Sequence, residues 1–176
     1  MNDIEIRPAT PADFDAIWDI FSSIIEAGET YPFPPDTTRA VGHEYWLGAA
    51  ATTFVAVRGR ERVLGMYRIV TNQVGRGAHV ANASYMVSPL AQGAGIGRLL
   101  GEHSLLQARA MGYLAMQFNY VVSTNTAAVK LWKQLGFTIV GTLPKAYRHP
   151  RLGFVDAYVM YQLLADLEKL PSALES

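Results

Sequence analysis

The stretch Gln92-Gly93-Ala94-Gly95-Ile96-Gly97-Arg98 constrains this chain more than any other. It follows Ala83-Ser84-Tyr85-Met86-Val87, an apolar, aromatic-bearing run that reads as a strand within 78–87 and is ended by Pro89. Beyond it Leu99, Leu100, Leu105, Leu106 and Ala110 fall at helical spacing, and Gly112 supplies a stop after a helix from Gly97 to about Met111. Strand, glycine-rich turn and helix together expose backbone N–H groups at the positive end of a helix, where a phosphate or pyrophosphate binds. The glycines permit left-handed backbone and close approach, and Arg98 adds a charge-assisted donor. The plainer alternative is a tight turn before an ordinary helix.

Two familiar phosphate loops are excluded. A nucleoside-triphosphate loop ends in Gly-Lys-Ser/Thr, whereas the chain reads Gly97-Arg98-Leu99. A dinucleotide fingerprint starting at Gly93 needs its third glycine where Arg98 stands, and the next strand ends at Asn119 without a carboxylate. A pyrophosphate-bearing ligand of another kind, such as coenzyme A, remains.

Composition narrows the class. At 176 residues, half of them hydrophobic, the chain supports one well-buried core. Lys plus Arg and Asp plus Glu number 15 each, which argues against affinity for nucleic acid through phosphate neutralisation. The absence of cysteine removes thiol nucleophiles, disulfides and thiolate metal sites, and no metal site is expected. Met1-Asn2-Asp3 does not open a signal peptide, and no apolar run reaches membrane-spanning length. A soluble cytoplasmic protein without membrane or nucleic-acid partners is the expectation.

Taken in order, Ile4 to Arg7 predicts a strand ended by Pro8. Pro11-Ala12-Asp13 then opens a helix with Phe14, Ile17, Phe21 and Ile24 on its buried side and Asp13, Asp15 and Asp19 on its outer side or amino end. The loop from Glu26 to Pro35 contains three prolines with Tyr31 and Phe33. It reads either as the wall of a small-molecule pocket, with Glu29 recognising an amine, or as a rigid connector whose aromatics cap the core. Thr37 and Thr38 cap a second helix to Leu47. Thr53–Val57 and Val63–Val70 form a hairpin around the basic turn Arg58-Gly59-Arg60-Glu61-Arg62. A buried strand at 115–119, a helix from Asn125 to Leu135, a strand from Phe137 to Leu143, a loop from Pro144 to Gly153 and a strand from Val155 to Leu163 complete the chain. Antiparallel hairpins followed by strand-helix-strand-helix-strand predict one α/β domain.

The pattern Gln92-Gly93-Ala94-Gly95-Ile96-Gly97, followed by Asn125-Thr126-Ala127-Ala128-Val129-Lys130-Leu131-Trp132-Lys133-Gln134-Leu135-Gly136-Phe137, resembles the two signatures of the GCN5-related N-acetyltransferase (GNAT) superfamily. The resemblance covers roughly residues 4 to 164. It implies a mixed central sheet of about seven strands with flanking helices, whose two central parallel strands splay apart. It also implies a single N-acetyltransferase domain over 1–165, a tail over 166–176, and acetyl-coenzyme A as cosubstrate. The pyrophosphate then lies on residues 92–98, while Tyr85, Met86 and Val87 offer backbone groups to the pantetheine arm and the thioester carbonyl. Asn125 orients the cofactor or, by its chemistry alone, caps the helix, a role for which Thr124 competes. The family often has a tyrosine, read as the general acid, where Trp132 stands. An indole supplies no proton at neutral pH, so Trp132 reads as a wall of the cleft, and protonation of the leaving thiolate falls to water, to a neighbouring tyrosine or to no protein acid.

A narrower resemblance lies in Phe118-Asn119-x-x-Val122-Ser123-x-Asn125 together with Asn82, which is similar to the fungal acetyltransferases of azetidine-2-carboxylate and proline analogues. It implies that Asn82 and Asn119 are catalytic residues that contribute to substrate binding and order the amine; the alternative is a pair of core asparagines bonded to backbone. Glu29-Thr30-Tyr31 resembles the substrate loop of the phosphinothricin and methionine sulfoximine acetyltransferases. The implied activity is direct acetyl transfer to the amine of a small amino acid or analogue within a ternary complex, with Glu29, Asp156 through water, or water beside Asn82 and Asn119 receiving the proton. Rivals are a peptide or protein N-terminal acetyltransferase and a catalytically weak coenzyme A-binding regulatory module. Family resemblance, and the bulk of Trp18, Trp46, Tyr31 and Phe33, predict a homodimer.

Overall fold

The computed structural model describes residues 4–59 and 62–164. Arg60 and Glu61 of the basic turn, residues 1–3 and the expected tail 166–176 lie outside the described residues. The elements are β1 (Ile4–Pro8), α1 (Phe14–Ala27), α2 (Arg39–Leu47), β2 (Thr52–Arg58), β3 (Arg62–Thr71), β4 (Val80–Val87), α3 (Ile96–Ala110), β5 (Ala115–Val122), α4 (Thr126–Gln134), β6 (Thr138–His149) and β7 (Gly153–Leu163). They build a seven-stranded sheet ordered β1-β2-β3-β4-β5-β7-β6. Every neighbouring pair is antiparallel except β4 and β5. These two pair only at Val80↔Ala115 and Ala81↔Met116, and beyond that point they part. This is the expected mixed sheet with splayed central parallel strands.

Strand alternation sends successive side chains of β4 to opposite layers. Ala81, Ala83, Tyr85 and Val87 pack with Ile96, Leu100 and Trp132 of α3 and α4. Met86 packs with Ile17, Phe21 and Trp46 of α1 and α2. The helices thus lie on opposite faces of the sheet, and the gap between β4 and β5 connects the two sides.

The buried stripe of α1 is Ile17, Ile20, Phe21 and Ile25, so Ile25 rather than Ile24 faces the sheet. Asp13 stands at the amino end of α1, one of the two positions expected for it, and is buried there. The Arg7 guanidinium donates to both its oxygens at 2.7 and 2.8 Å, and the Thr10 N–H donates to it at 2.7 Å. These bonds hold its carboxyl down to about 2 against the opposing effect of burial. Pro144 to Gly153 is not a loop: β6 continues to His149 and pairs with β7 through Tyr147↔Val155 and His149↔Gly153. Pro144 is accommodated by a bulge between Leu143 and Tyr147, where Lys145 takes φ 52° and its N–H donates to the Asp156 carboxylate at 2.8 Å.

The aromatics that suggested a homodimer find partners within the chain. Trp46 is fully buried, Phe33 lies 5.0 Å from Phe21 and 4.9 Å from Tyr45, and Trp18 lies 5.9 Å from Phe21. Gly42 makes the contact between α1 and α2 possible, because a Cβ there would sit 2.7 Å from the Trp18 ring. Among the described residues no helix is long and apolar enough to cross a membrane.

Candidate functional site

The register of β4 determines which peptide groups face the gap. Asn72 N–H donates to the Val80 carbonyl at 2.8 Å, and Ser88 N–H donates to the Leu64 carbonyl at 2.9 Å. Bonded and non-bonded pairs alternate along an antiparallel ladder, so the even residues of β4 turn their peptide groups to β3. The odd residues Ala83, Tyr85 and Val87 turn theirs into the gap left by β5. The Met86 peptide, opposite Met66, is therefore directed at β3 and not at a ligand in the gap. Of the three residues expected to offer backbone groups there, Tyr85 and Val87 have the right orientation.

At the upper end of the gap the glycine turn enters α3. Gly93 and Gly95 take φ 76° and 77°, which side chains rarely adopt, and open space surrounds both. Gly95 is the N-cap, and no side chain caps the helix there, so the first-turn N–H groups stay available to an anion. The turn suits a pyrophosphate on these grounds. Gln92, Ala94 and Arg98 are exposed. Ile96, by contrast, is a core residue packed beneath the turn. Gly97 faces α4, where a Cβ would approach Leu131 to 3.3 Å. Arg98 bonds Glu102 at 3.0 Å on its own helix and lies 3.4 Å from Gln134.

Between the splayed strands lies a cavity of about 250 Å³. Asn82, Asn119, Tyr31, Tyr85, Asn125 and Trp132, from five separate segments, all line it. Trp132 forms a wall, its ring 4.6 Å from Tyr85 and 4.9 Å from Phe118. The capping question at α4 resolves in favour of Asn125, whose Oδ1 accepts from Ala128 N–H at 3.2 Å; Thr124 is not the cap. Asn125 thus caps the helix and borders the cavity as well.

Neither Asn82 nor Asn119 is a core asparagine bonded to backbone. Asn82 is half-buried, and among the described residues its carboxamide has no hydrogen-bond partner. Asn119 is exposed; its Oδ1 accepts from Gln117 at 2.8 Å and its Nδ2 donates to the Asn72 side chain at 2.7 Å. Sequence reasoning missed Asn72, which follows the end of β3 and carries no motif.

The loop from Glu26 to Pro35 contributes to the cavity through Thr30, Tyr31 and Phe33. Glu29 does not line it: its carboxylate pairs with Arg151 in the β6–β7 turn. Asp156 is likewise committed to the bulge at Lys145. Arg68 also lacked a sequence signal. It lies opposite Ser84 on β3, its guanidinium is 3.6 Å from the centre of the Tyr45 ring, and it donates to the Tyr45 carbonyl. Its buried Nε has no partner among the described residues. Burial lowers its pKa. The Tyr45 hydroxyl reaches Ser84 Oγ at 2.7 Å on the cavity wall, so Arg68 stands directly behind that wall.

The acetyltransferase (GNAT) family matches residues 14–137. N-acetyltransferase aca1 of Schizosaccharomyces pombe is 31% identical over 160 residues, covering 82% of this chain and 77% of that one. A GCN5-related N-acetyltransferase from Kribbella flavida is 43% identical, covers 92% of this chain and 98% of its own, and superposes with a TM-score of 0.87. A phosphinothricin acetyltransferase from Sinorhizobium meliloti, solved in complex with acetyl-CoA, shares the fold with a TM-score of 0.83 at 20% identity, covering 98% of this chain and 95% of that one. With the splayed strands, the glycine turn and these matches together, the chain belongs to the GNAT family of acetyltransferases.

Proposed function

We propose that this enzyme transfers an acetyl group from acetyl-coenzyme A directly to the amine of a small amino acid or amino-acid analogue. The observation that carries the acceptor side is the cavity between β4 and β5, with the carboxamides of Asn82 and Asn119 on its wall. The cofactor pyrophosphate is held by the glycine turn and the first-turn N–H groups of α3, within residues Gly93 to Arg98, and the pantetheine arm by the Val87 peptide. Asn125 and Trp132 border the arm. Asn82 and Asn119 orient the nucleophile: a carboxamide accepts from an amine and donates to a carboxylate or water, and it does not act as a base.

An ammonium must lose its proton before it attacks. Glu29 and Asp156 are engaged elsewhere, so water beside Asn82 and Asn119 carries that proton away. The acetyl group is already activated as a thioester, and most of the rate then comes from holding amine and carbonyl together. Arg68 behind the Tyr45–Ser84 wall gives this side a positive potential that favours an acceptor bearing a carboxylate. The motif resemblance carried by Asn82 and Asn119 to the enzymes of proline analogues supports the same acceptor class.

Coenzyme A thiol release, measured with acetyl-CoA against a panel of amino acids, imino acids, analogues and peptides, tests the reading. Release with free amino or imino acids and little with peptides supports it. Release confined to peptides or protein amino termini overturns it.

A further inference from the structure

We propose that Tyr31 is a catalytic residue that relays the proton of acetyl transfer, giving its phenolic hydrogen to the departing sulfur as it takes one from the newly acylated nitrogen. The proposal rests on the acetyltransferase reading above. Its basis is the position of one oxygen. Tyr31 Oη accepts from Tyr85 N–H at 2.9 Å and donates to the Tyr85 carbonyl at 2.6 Å. Tyr85 is an odd residue of β4, so the hydroxyl lies in the gap between the splayed strands, on the cavity that Asn82, Asn119 and Trp132 also line. No other side chain among the described residues bonds the gap-facing peptide groups of β4.

The oxygen is fixed while its proton is free to turn. Tyr85 N–H holds the oxygen, and the Tyr147 hydroxyl holds the loop by donating to the Gly28 carbonyl at 2.5 Å, with the Tyr31 carbonyl 3.2 Å from the same oxygen. Rotation about the phenolic C–O bond redirects the hydrogen from the Tyr85 carbonyl to a neighbour in the gap. The other tyrosines on the cavity are committed elsewhere: Tyr85 Oη to Ser104 at 2.7 Å, Tyr45 Oη to Ser84 at 2.7 Å, and Tyr120 Oη to the Ala146 carbonyl. Trp132, at the position where the resemblance expects a tyrosine, has no transferable proton at neutral pH.

The step balances. The amine lone pair forms the N–C bond, and the carbonyl pair moves to oxygen. As C=O re-forms, the C–S bond breaks and sulfur takes the Tyr31 proton, while the phenolic oxygen recovers a proton from the nitrogen. The net transfer is from nitrogen to sulfur. Burial pushes the Tyr31 phenol well above the ordinary tyrosine value, which disfavours a free phenolate and requires giving and taking to be concerted.

Tyr31→Phe is expected to lower kcat on the order of 100-fold, with the calorimetric affinity for acetyl-CoA changed less than about 2-fold and kcat/KM falling with kcat. Pro34→Ala, which loosens the same loop away from the cavity, is expected to keep kcat within about 3-fold. Tyr31→4-aminophenylalanine, similar in shape but lacking an acidic proton, covers the case in which Tyr31→Phe fails to fold, and it should show the same loss. Unchanged kcat in either folded variant overturns the assignment. Tighter acetyl-CoA binding with faster turnover overturns it too, by making the hydroxyl a competitor for the gap. Turnover by the wild type with a normal Tyr31→Phe sinks only this proposal. A wild type without acetyl-CoA turnover removes the reading beneath it and the proposal together.

Discussion

The two sides of the gap between β4 and β5 are built from different materials. The side facing the glycine turn presents backbone: first-turn N–H groups of α3 and the Val87 peptide, aimed by strand register and by two left-handed glycines. The opposite side presents side chains, with Tyr31 from a proline-rich loop, Tyr45 from α2, Asn82 from β4 and Asn119 from β5. Backbone recognition suits a ligand that is always the same. Side-chain recognition lets the acceptor change through substitutions that leave the sheet intact, so the proposed function puts specificity on the second side.

The largest effect is expected on the backbone side. Gly95→Val forces a β-branched residue to φ 77° and crowds the first-turn N–H groups. Affinity for acetyl-CoA should fall on the order of 100-fold, about 2.7 kcal/mol, in calorimetry on the folded variant. Next come Asn82→Ala and Asn119→Ala, each lowering kcat/KM for the acceptor by about 10- to 100-fold with little change in acetyl-CoA affinity. If either weakens the cofactor as much as the acceptor, the division between the two sides fails. Glu29→Gln, by contrast, loses only an exposed pairing with Arg151, and kcat/KM should change less than about 3-fold. A larger loss would bring Glu29 back as the amine's partner.

The smallest effect lies at the sheet edge, remote from both sides. Asp13, whose carboxyl is held down to about 2, contributes stability that is complete above its unfolded value near 4 and is lost as pH falls through about 2. Arg7→Ala should therefore cost roughly 1 kcal/mol at neutral pH and raise the midpoint of acid unfolding. Activity per folded molecule should not change.

The same division governs what the sequence reveals. The glycine turn, the Thr38 cap and the helix after Asn125 are local, and spacing is enough to read them. Ile96 hides inside the glycine motif as a core residue, because a motif does not say which of its members faces inward. The alternation that turns Tyr85 and Val87, but not Met86, into the gap needs the β3–β4 register, which no local pattern specifies. The second half of β6 reads as a loop because Pro144 punctuates it, and only the Asp156 side chain, 11 residues beyond Lys145, reveals the bulge. Asn72, Arg68 and the bond from Tyr31 to a peptide 54 residues away depend wholly on tertiary placement. Asn82 and Asn119, singled out by resemblance, both line the cavity, and the role proposed for them there needs the placement of two separate strands.

Backbone amide shifts recorded by NMR while acetyl-CoA and then an amino-acid acceptor are added test the two-sided gap most directly. Acetyl-CoA alone is predicted to move the amides of Val87 and of residues Gly93 to Arg98, with Met86, bonded to β3, far less affected. The acceptor is then predicted to move the side-chain amides of Asn82 and Asn119. Equal movement of Met86 and Val87, or an acceptor response that bypasses both asparagines, would contradict the account.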